Sequence, residues 1–96
     1  MLMKKEARLL KALGDETRLR IVQLLLDGER CACSVVPFAG KAQPTVSRHL
    51  KILVEAGILE TRRDGVNIWY KIRSKDAINI LKLLGIRRIK RMAELC

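Results

Sequence analysis

The stretch Gln43-Pro44-Thr45-Val46-Ser47-Arg48-His49-Leu50-Lys51-Ile52-Leu53 carries two patterns at once. Val46, Leu50 and Leu53 recur at helical spacing and would face a core, while Thr45, Ser47, Arg48, His49 and Lys51 fall largely on other faces. Pro44 suits a first helical turn, where its missing N–H would have no partner anyway, although Ala42 is a poor cap. A helix with an apolar inner face and a positive, donor-rich outer face has what DNA recognition needs. Gln43, Thr45, Ser47 and Arg48 offer groups for base edges, Arg48 and Lys51 offer charge for phosphates, and His49 is either DNA-facing or structural. An ordinary surface helix would have a similar composition, so the neighbouring sequence has to decide.

Downstream, Glu55-Ala56-Gly57 offers a helix stop. Ile58-Leu59-Glu60-Thr61-Arg62-Arg63 and Val66-Asn67-Ile68-Trp69-Tyr70-Lys71-Ile72 then flank Asp64-Gly65, a dipeptide that signals a hairpin. Ile68, Tyr70 and Ile72 alternate onto one strand face, and Asn67, Trp69 and Lys71 onto the other. A recognition-type helix followed directly by a hairpin with Arg62 and Arg63 near its tip, where both are expected to contact DNA phosphates, reads as a winged helix-turn-helix.

Upstream, Lys4 to Leu13 is expected to be a helix with Met3, Ala7 and Leu10 on one face, ended by Gly14. Asp15 should cap the next helix, from Glu16 to about Leu26, stopped by Asp27-Gly28. A short helix from about Cys33 to Ala39, limited by Pro37, would lead through Gly40 into the recognition helix. From Lys75 to the end, Ile78, Leu81, Ile86, Ile89 and Met92 suggest a further amphipathic helix, interrupted only by Gly85. The fold expected is mainly α with a small β-hairpin wing, as one domain over residues 1–96 with a reading head at 14–73. The flanking segments, 1–13 and 74–96, leave an apolar face with too little of their own chain to cover it, which predicts a two-fold homodimer. Two recognition helices would then meet a palindromic double-stranded operator with half-sites about one turn, roughly 34–36 Å, apart.

From Ala12-Leu13-Gly14-Asp15-Glu16-Thr17-Arg18-Leu19-Arg20-Ile21 through Pro44 to Lys51, and on to Asp64-Gly65 and Trp69-Tyr70, the chain resembles the ArsR/SmtB family of metal-sensing repressors. The resemblance covers nearly the whole chain. It implies a small dimeric winged-helix repressor, bound to its operator without inducer and released when a metal, metalloid or oxidant acts on cysteines or histidines. Cys31 and Cys33 stand where the arsenite-responsive branch of that family has a Cys-x-Cys, and Arg30 beside them would favour a thiolate. Where the family often has a third cysteine this chain has Val36, leaving Cys96 as the remaining candidate ligand. The family's zinc and cobalt sensors use His and carboxylates on the terminal helix; residues 75–96 contain no His here. The resemblance therefore implies a soft, thiophilic inducer, with arsenite or antimonite first and cadmium, lead or copper(I) next.

Composition agrees with this reading. The net charge is +10, from 20 Lys+Arg against 10 Asp+Glu, which favours a polyanion as partner. Residues 41–73, the proposed reading head's outer part, carry 7 basic and 3 acidic side chains, and Arg87, Arg88, Lys90 and Arg91 read as a solvated helix face. Three cysteines cannot all pair within the chain, and they suit reduced thiols in a cytoplasmic protein. No apolar run approaches the roughly 20 residues of a membrane span, so no membrane partner is expected. With one His, no Gly-rich phosphate loop and no nucleophile beside an evident base, an enzyme is not expected, and no cofactor is required. Two other readings keep the fold: a repressor switched by a disulfide between Cys96 and Cys31 or Cys33, and a winged helix used only for protein contacts.

Overall fold

The computed structural model describes residues 2–89. Its order is α1 (Lys4–Leu13), α2 (Glu16–Leu25), β1 (Arg30–Cys31), α3 (Ala32–Ala39), α4 (Gln43–Glu55), β2 (Leu59–Asp64), β3 (Asn67–Ile72) and α5 (Lys75–Leu83). Ile21 and Val22 of α2, Val35 of α3, Val46 and Leu53 of α4, Ile58, Leu59 and Leu81 are all essentially inaccessible to solvent. The core is therefore aliphatic and is shared by every helix from α2 to α5.

The helix ends follow from local chemistry. Asp15 accepts the N–H of Arg18 at 3.0 Å and so caps α2. Ser74 does the same for α5 through Ala77 N–H at 3.1 Å. Ala42 offers α4 no side-chain cap. The C-terminus of α4 closes with Gly57 N–H on Val54 O and Ile58 N–H on Leu53 O, both at 3.0 Å. This pair of bonds needs a left-handed residue, which Gly57 supplies at φ +79°. Ile58 and Leu53 meet beneath the turn as fully buried side chains, so the end of α4 and the start of the wing are one packed unit.

Three features differ from the sequence reading. First, α5 does not run on to the chain end. Gly85 (φ +77°) terminates it with Ile86 N–H on Leu81 O at 2.9 Å and Gly85 N–H on Lys82 O at 3.0 Å, the same closing pair as in α4. Ile86 turns back against the core, Gln23 Nε2 donates to Arg87 O at 2.8 Å, and Arg88 reaches Asp27 at 4.0 Å. Arg87 and Arg88 thus belong to a folded-back segment rather than to a helix face; Lys90, Arg91, Met92 and Cys96 lie outside the described residues. Second, the hairpin turn is shifted by one residue. Asp64 pairs with Asn67, so the connecting residues are Gly65 and Val66. Gly65 has φ +64° and, among the described residues, no non-glycine residue has positive φ, which gives the turn a left-handed first position only and matches the right-handed twist of the strands. Third, the two-residue strand β1 joins the hairpin, giving a sheet of order β1-β3-β2 with Cys31 opposite Trp69. Two residues are too few to show an alternating pattern in sequence.

The stripe Met3, Ala7, Leu10 on α1 faces away from this chain's own core. Leu2, Met3 and Leu10 are 81%, 57% and 56% exposed, while Leu9, Ala12 and Leu13 pack inward. Leu83 and Leu84 at the end of α5 are exposed as well. Helix, turn and helix (α3, Gly40–Ala42, α4) followed by a β2–β3 wing make the fold a winged helix-turn-helix.

Candidate nucleic-acid interface

Val46, Leu50 and Leu53 fix α4 to the core. The other side of the helix presents Gln43, Ser47, Arg48 and Lys51 to solvent, with Thr45 half-buried beside them. These positions recur at three- and four-residue spacing, so their donors form one ridge along the helix rather than a ring around it.

His49 does not join that ridge. Its side chain is 17% exposed and turns toward the junction of α1 and α2. There Arg18 Nη1 lies 3.2 Å from His49 Nδ1, while Arg18 Nε donates to Ala12 O at 2.6 Å and Nη2 to Lys11 O at 3.4 Å. A guanidinium has only donors, so Nδ1 is the acceptor in this contact. Asp15 lies 4.0 Å from the same nitrogen. The N–H bond from Arg18 holds the Asp15 carboxyl below its ordinary range, helped by the Arg18 charge and working against partial burial. The spacing of a capping Asp and an Arg three residues later was visible in sequence; its tie to a histidine 31 residues on was not.

The wing separates its two arginines. Register places Leu59, Thr61 and Arg63 opposite Ile72, Tyr70 and Ile68, on the sheet face that continues into the core. Glu60, Arg62 and Asp64 lie opposite Lys71, Trp69 and Asn67 on the other face. Arg62 is bound to both carboxylate oxygens of Glu29, at 2.9 and 2.8 Å, and stacks 5.2 Å over the Trp69 ring. Its hydrogen bonds hold the Glu29 carboxyl low and raise its own affinity for a proton. Arg63 is exposed and has no ion-pair partner among the described residues. Of the two residues expected to meet DNA, one is therefore already engaged and the other is open.

Cys31 is buried and Cys33 exposed. Cys31 stands before α3 in an extended conformation (φ −71°, ψ 146°), and its Sγ accepts the N–H of Cys33 at 3.3 Å. Side chains two apart on a formed helix point to well-separated faces and cannot easily share an ion, but here Cys31 stands off the helix, as its cap. Both cysteines line an open cleft of about 510 Å³, together with Gln43 and Ser47 of α4 and with Asn67 and Tyr70 of the wing. Burial raises the affinity of the Tyr70 phenol for its proton. Among the described residues no group of three or more His, Cys, Asp or Glu is arranged to hold a metal, and Cys96 lies outside them.

Comparison with known proteins matches this geometry. Residues 15–61 match the family described as bacterial regulatory protein, arsR family. The chain is 42% identical over 81 residues to an HTH-type transcriptional regulator of Methanocaldococcus jannaschii, covering 83% of this chain and 91% of that one. It is 39% identical to the arsenical resistance operon repressor of Staphylococcus aureus, covering 86% and 80% of the two chains. Among solved structures, the homodimeric winged helix-turn-helix DNA-binding domain of a possible ArsR-family regulator from Mycobacterium bovis superposes with a TM-score of 0.79 at 32% identity, over 88% of this chain and 78% of the other. Such proteins are regulators and not enzymes. With a core-anchored helix, a basic outer ridge and a wing beside it, this chain belongs to the arsR family of DNA-binding transcriptional regulators.

Proposed function

We propose that this regulator is a homodimeric repressor that holds a palindromic operator with α4 and the wing, and releases it when a thiophilic ion such as arsenite or antimonite binds at Cys31 and Cys33. The observation that carries the reading is the shared cleft: both cysteines line the space between the recognition helix and the wing. Gln43, Thr45, Ser47, Arg48 and Lys51 would read bases and meet phosphates, and Arg63 would add a phosphate contact from the wing. The chain's similarity to an arsenical resistance repressor supports the choice of ion. The uncovered apolar stripes of α1 and α5 support pairing of two copies. No helix of the described residues is long and apolar enough to cross a membrane, in keeping with work on DNA in the cytoplasm.

The cap gives the ion a way to act. Cys31 Sγ holds the first turn of α3 through Cys33 N–H. An ion that takes that sulfur as a ligand competes with the cap, and α3 packs directly on α4. Release then follows if the ion binds the free form more tightly than the DNA-bound form, and DNA must weaken ion binding by the same factor.

Fluorescence anisotropy on the promoter DNA upstream of its own gene, titrated with arsenite, tests this. The parent protein should let go, whereas Cys31→Ser and Cys33→Ser should each keep the operator and ignore the ion. A Cys96→Ser variant that responds only at much higher arsenite would assign Cys96 as third ligand. Full ion response after loss of both Cys31 and Cys33 would remove the sensing proposal and leave the DNA-binding assignment intact.

A further inference from the structure

The link between Arg18 and His49 lies off the donor ridge of α4 and outside the cysteine cleft, yet it ties α1 and α2 to the recognition helix. Arg18 Nε and Nη2 hold the carbonyls of Ala12 and Lys11, in the last turn of α1, and Nη1 holds His49 on α4. Carbonyls in the last turn of a helix lack i+4 partners; the guanidinium supplies a donor to Ala12 O and adds a second one to Lys11 O, which already accepts Gly14 N–H at 3.2 Å. The fork is planar and rigid, so these contacts set direction as well as distance. The apolar anchors Val46, Leu50 and Leu53 hold α4 at the right depth, but apolar contact is not directional and leaves rotation about the helix axis loosely set. His49 follows Arg48 directly, and adjacent helical residues are turned by roughly 100°. Pinning His49 on the inner side therefore aims Arg48 on the outer side.

We infer that Arg18 and His49 are a positioning pair that fixes the angle of the recognition helix relative to α1, and through α1 the spacing at which two copies read DNA. Neither side chain touches DNA in this role. The second half of the statement rests on the proposed dimer, because the exposed Leu2, Met3 and Leu10 stripe makes α1 the helix against which a second copy would seat. The path then runs from the partner copy through α1, Arg18 and His49 to α4. Asp15, 4.0 Å from Nδ1, and Arg18 are the charged groups that face the imidazole, and Asp15 also caps the helix that carries Arg18.

The test uses the full chain with His49→Leu, which cannot accept from Arg18, and His49→Asn, whose Oδ1 can. Each is measured on the operator, on operators with one base pair added to or removed from the centre, and on unrelated duplex. The parent protein should prefer the natural spacing. His49→Leu should lose roughly tenfold on the operator, the worth of one hydrogen bond to a charged group, and should lose most of its spacing preference. Its affinity for unrelated duplex and its salt dependence should stay as in the parent, since no phosphate contact is removed. His49→Asn should recover both affinity and spacing preference, and it serves as the folded control if the leucine variant is unstable. A fall of about one unit in log–log salt slope with either variant would make His49 a phosphate contact and overturn the inference. Equal operator binding by the Leu and Asn variants would overturn it too. A parent protein that sediments as a monomer and ignores spacing would refute the dimer, and with it the transmission through α1; the difference between Leu and Asn on a single half-site would still decide whether the pair aims α4.

Discussion

Around the inner side of α4, polar groups are tied to the protein: Arg18 spans two carbonyls and His49, Asp15 caps α2, and the helix end is closed by two backbone bonds, onto Val54 and the buried Leu53. At the wing the ties run differently. Arg62 is clamped by Glu29 and Trp69 on the sheet face away from the core, Arg63 extends into solvent, and Val66 at the tip is 97% exposed. A base edge demands a fixed angle from the group that reads it, whereas a phosphate is satisfied by charge at an approximate position. The region held on every side suits the first task and the looser region the second.

Equal truncations in the two regions should have unequal consequences. Leu53→Ala removes a fully buried side chain that seals the end of α4, and should cost about 2–5 kcal/mol in urea unfolding. Val66→Ala at the wing tip should change stability by no more than about 0.5 kcal/mol. Similar losses from the two would mean that the wing is packed against something the single chain does not provide.

The contrast sharpens in DNA binding. Arg48→Ala should cost about 1–3 kcal/mol on the operator and relax preference at one base position, if Arg48 reads a guanine edge. Arg63→Ala should weaken binding to all duplexes alike and flatten the salt dependence by about one unit of log–log slope. Arg62→Ala should leave that slope closer to the parent's, because the arginine is already neutralised by Glu29. Titrations at several salt concentrations distinguish the three. Identical slopes for the Arg62 and Arg63 variants would erase the difference drawn between the two faces of the sheet.

How far the sequence reveals this depends on range. Helices α1 to α4 are legible because each is marked locally, by Asp15, by Pro44, or by Gly14, Gly40 and Gly57, and by apolar residues at helical spacing. The hairpin is legible too, but its turn is off by one residue, since Asp-Gly and Gly-Val both flank the same glycine and only cross-strand pairing chooses between them. The end of α5 depends on whether Gly85 is tolerated or used as a stop, which Ile86 settles by reaching the core. In the site, exposure on α4 follows from periodicity, yet His49 sits on the wrong side of its own helix for a reader, and nothing local announces Arg18. Contacts between residues far apart in sequence leave no periodic trace.

The smallest effect concerns Asp15. The carboxyl is held below its ordinary range mainly by the Arg18 N–H, against the effect of partial burial, and further by the Arg18 charge. A group whose folded value is depressed adds stability above its unfolded value, and that stability fades as pH falls through the folded one. Asp15→Asn keeps a good cap but removes the charge. The variant should therefore be slightly less stable than the parent near neutrality, and the gap should close as the solution is made acidic enough to protonate Asp15 in the folded protein. Denaturation at a series of pH values measures that gap directly. A gap that stays constant into strong acid would mean that Asp15 acts only as a hydrogen-bond acceptor, and that charge has no share in holding the junction of α1, α2 and α4 together.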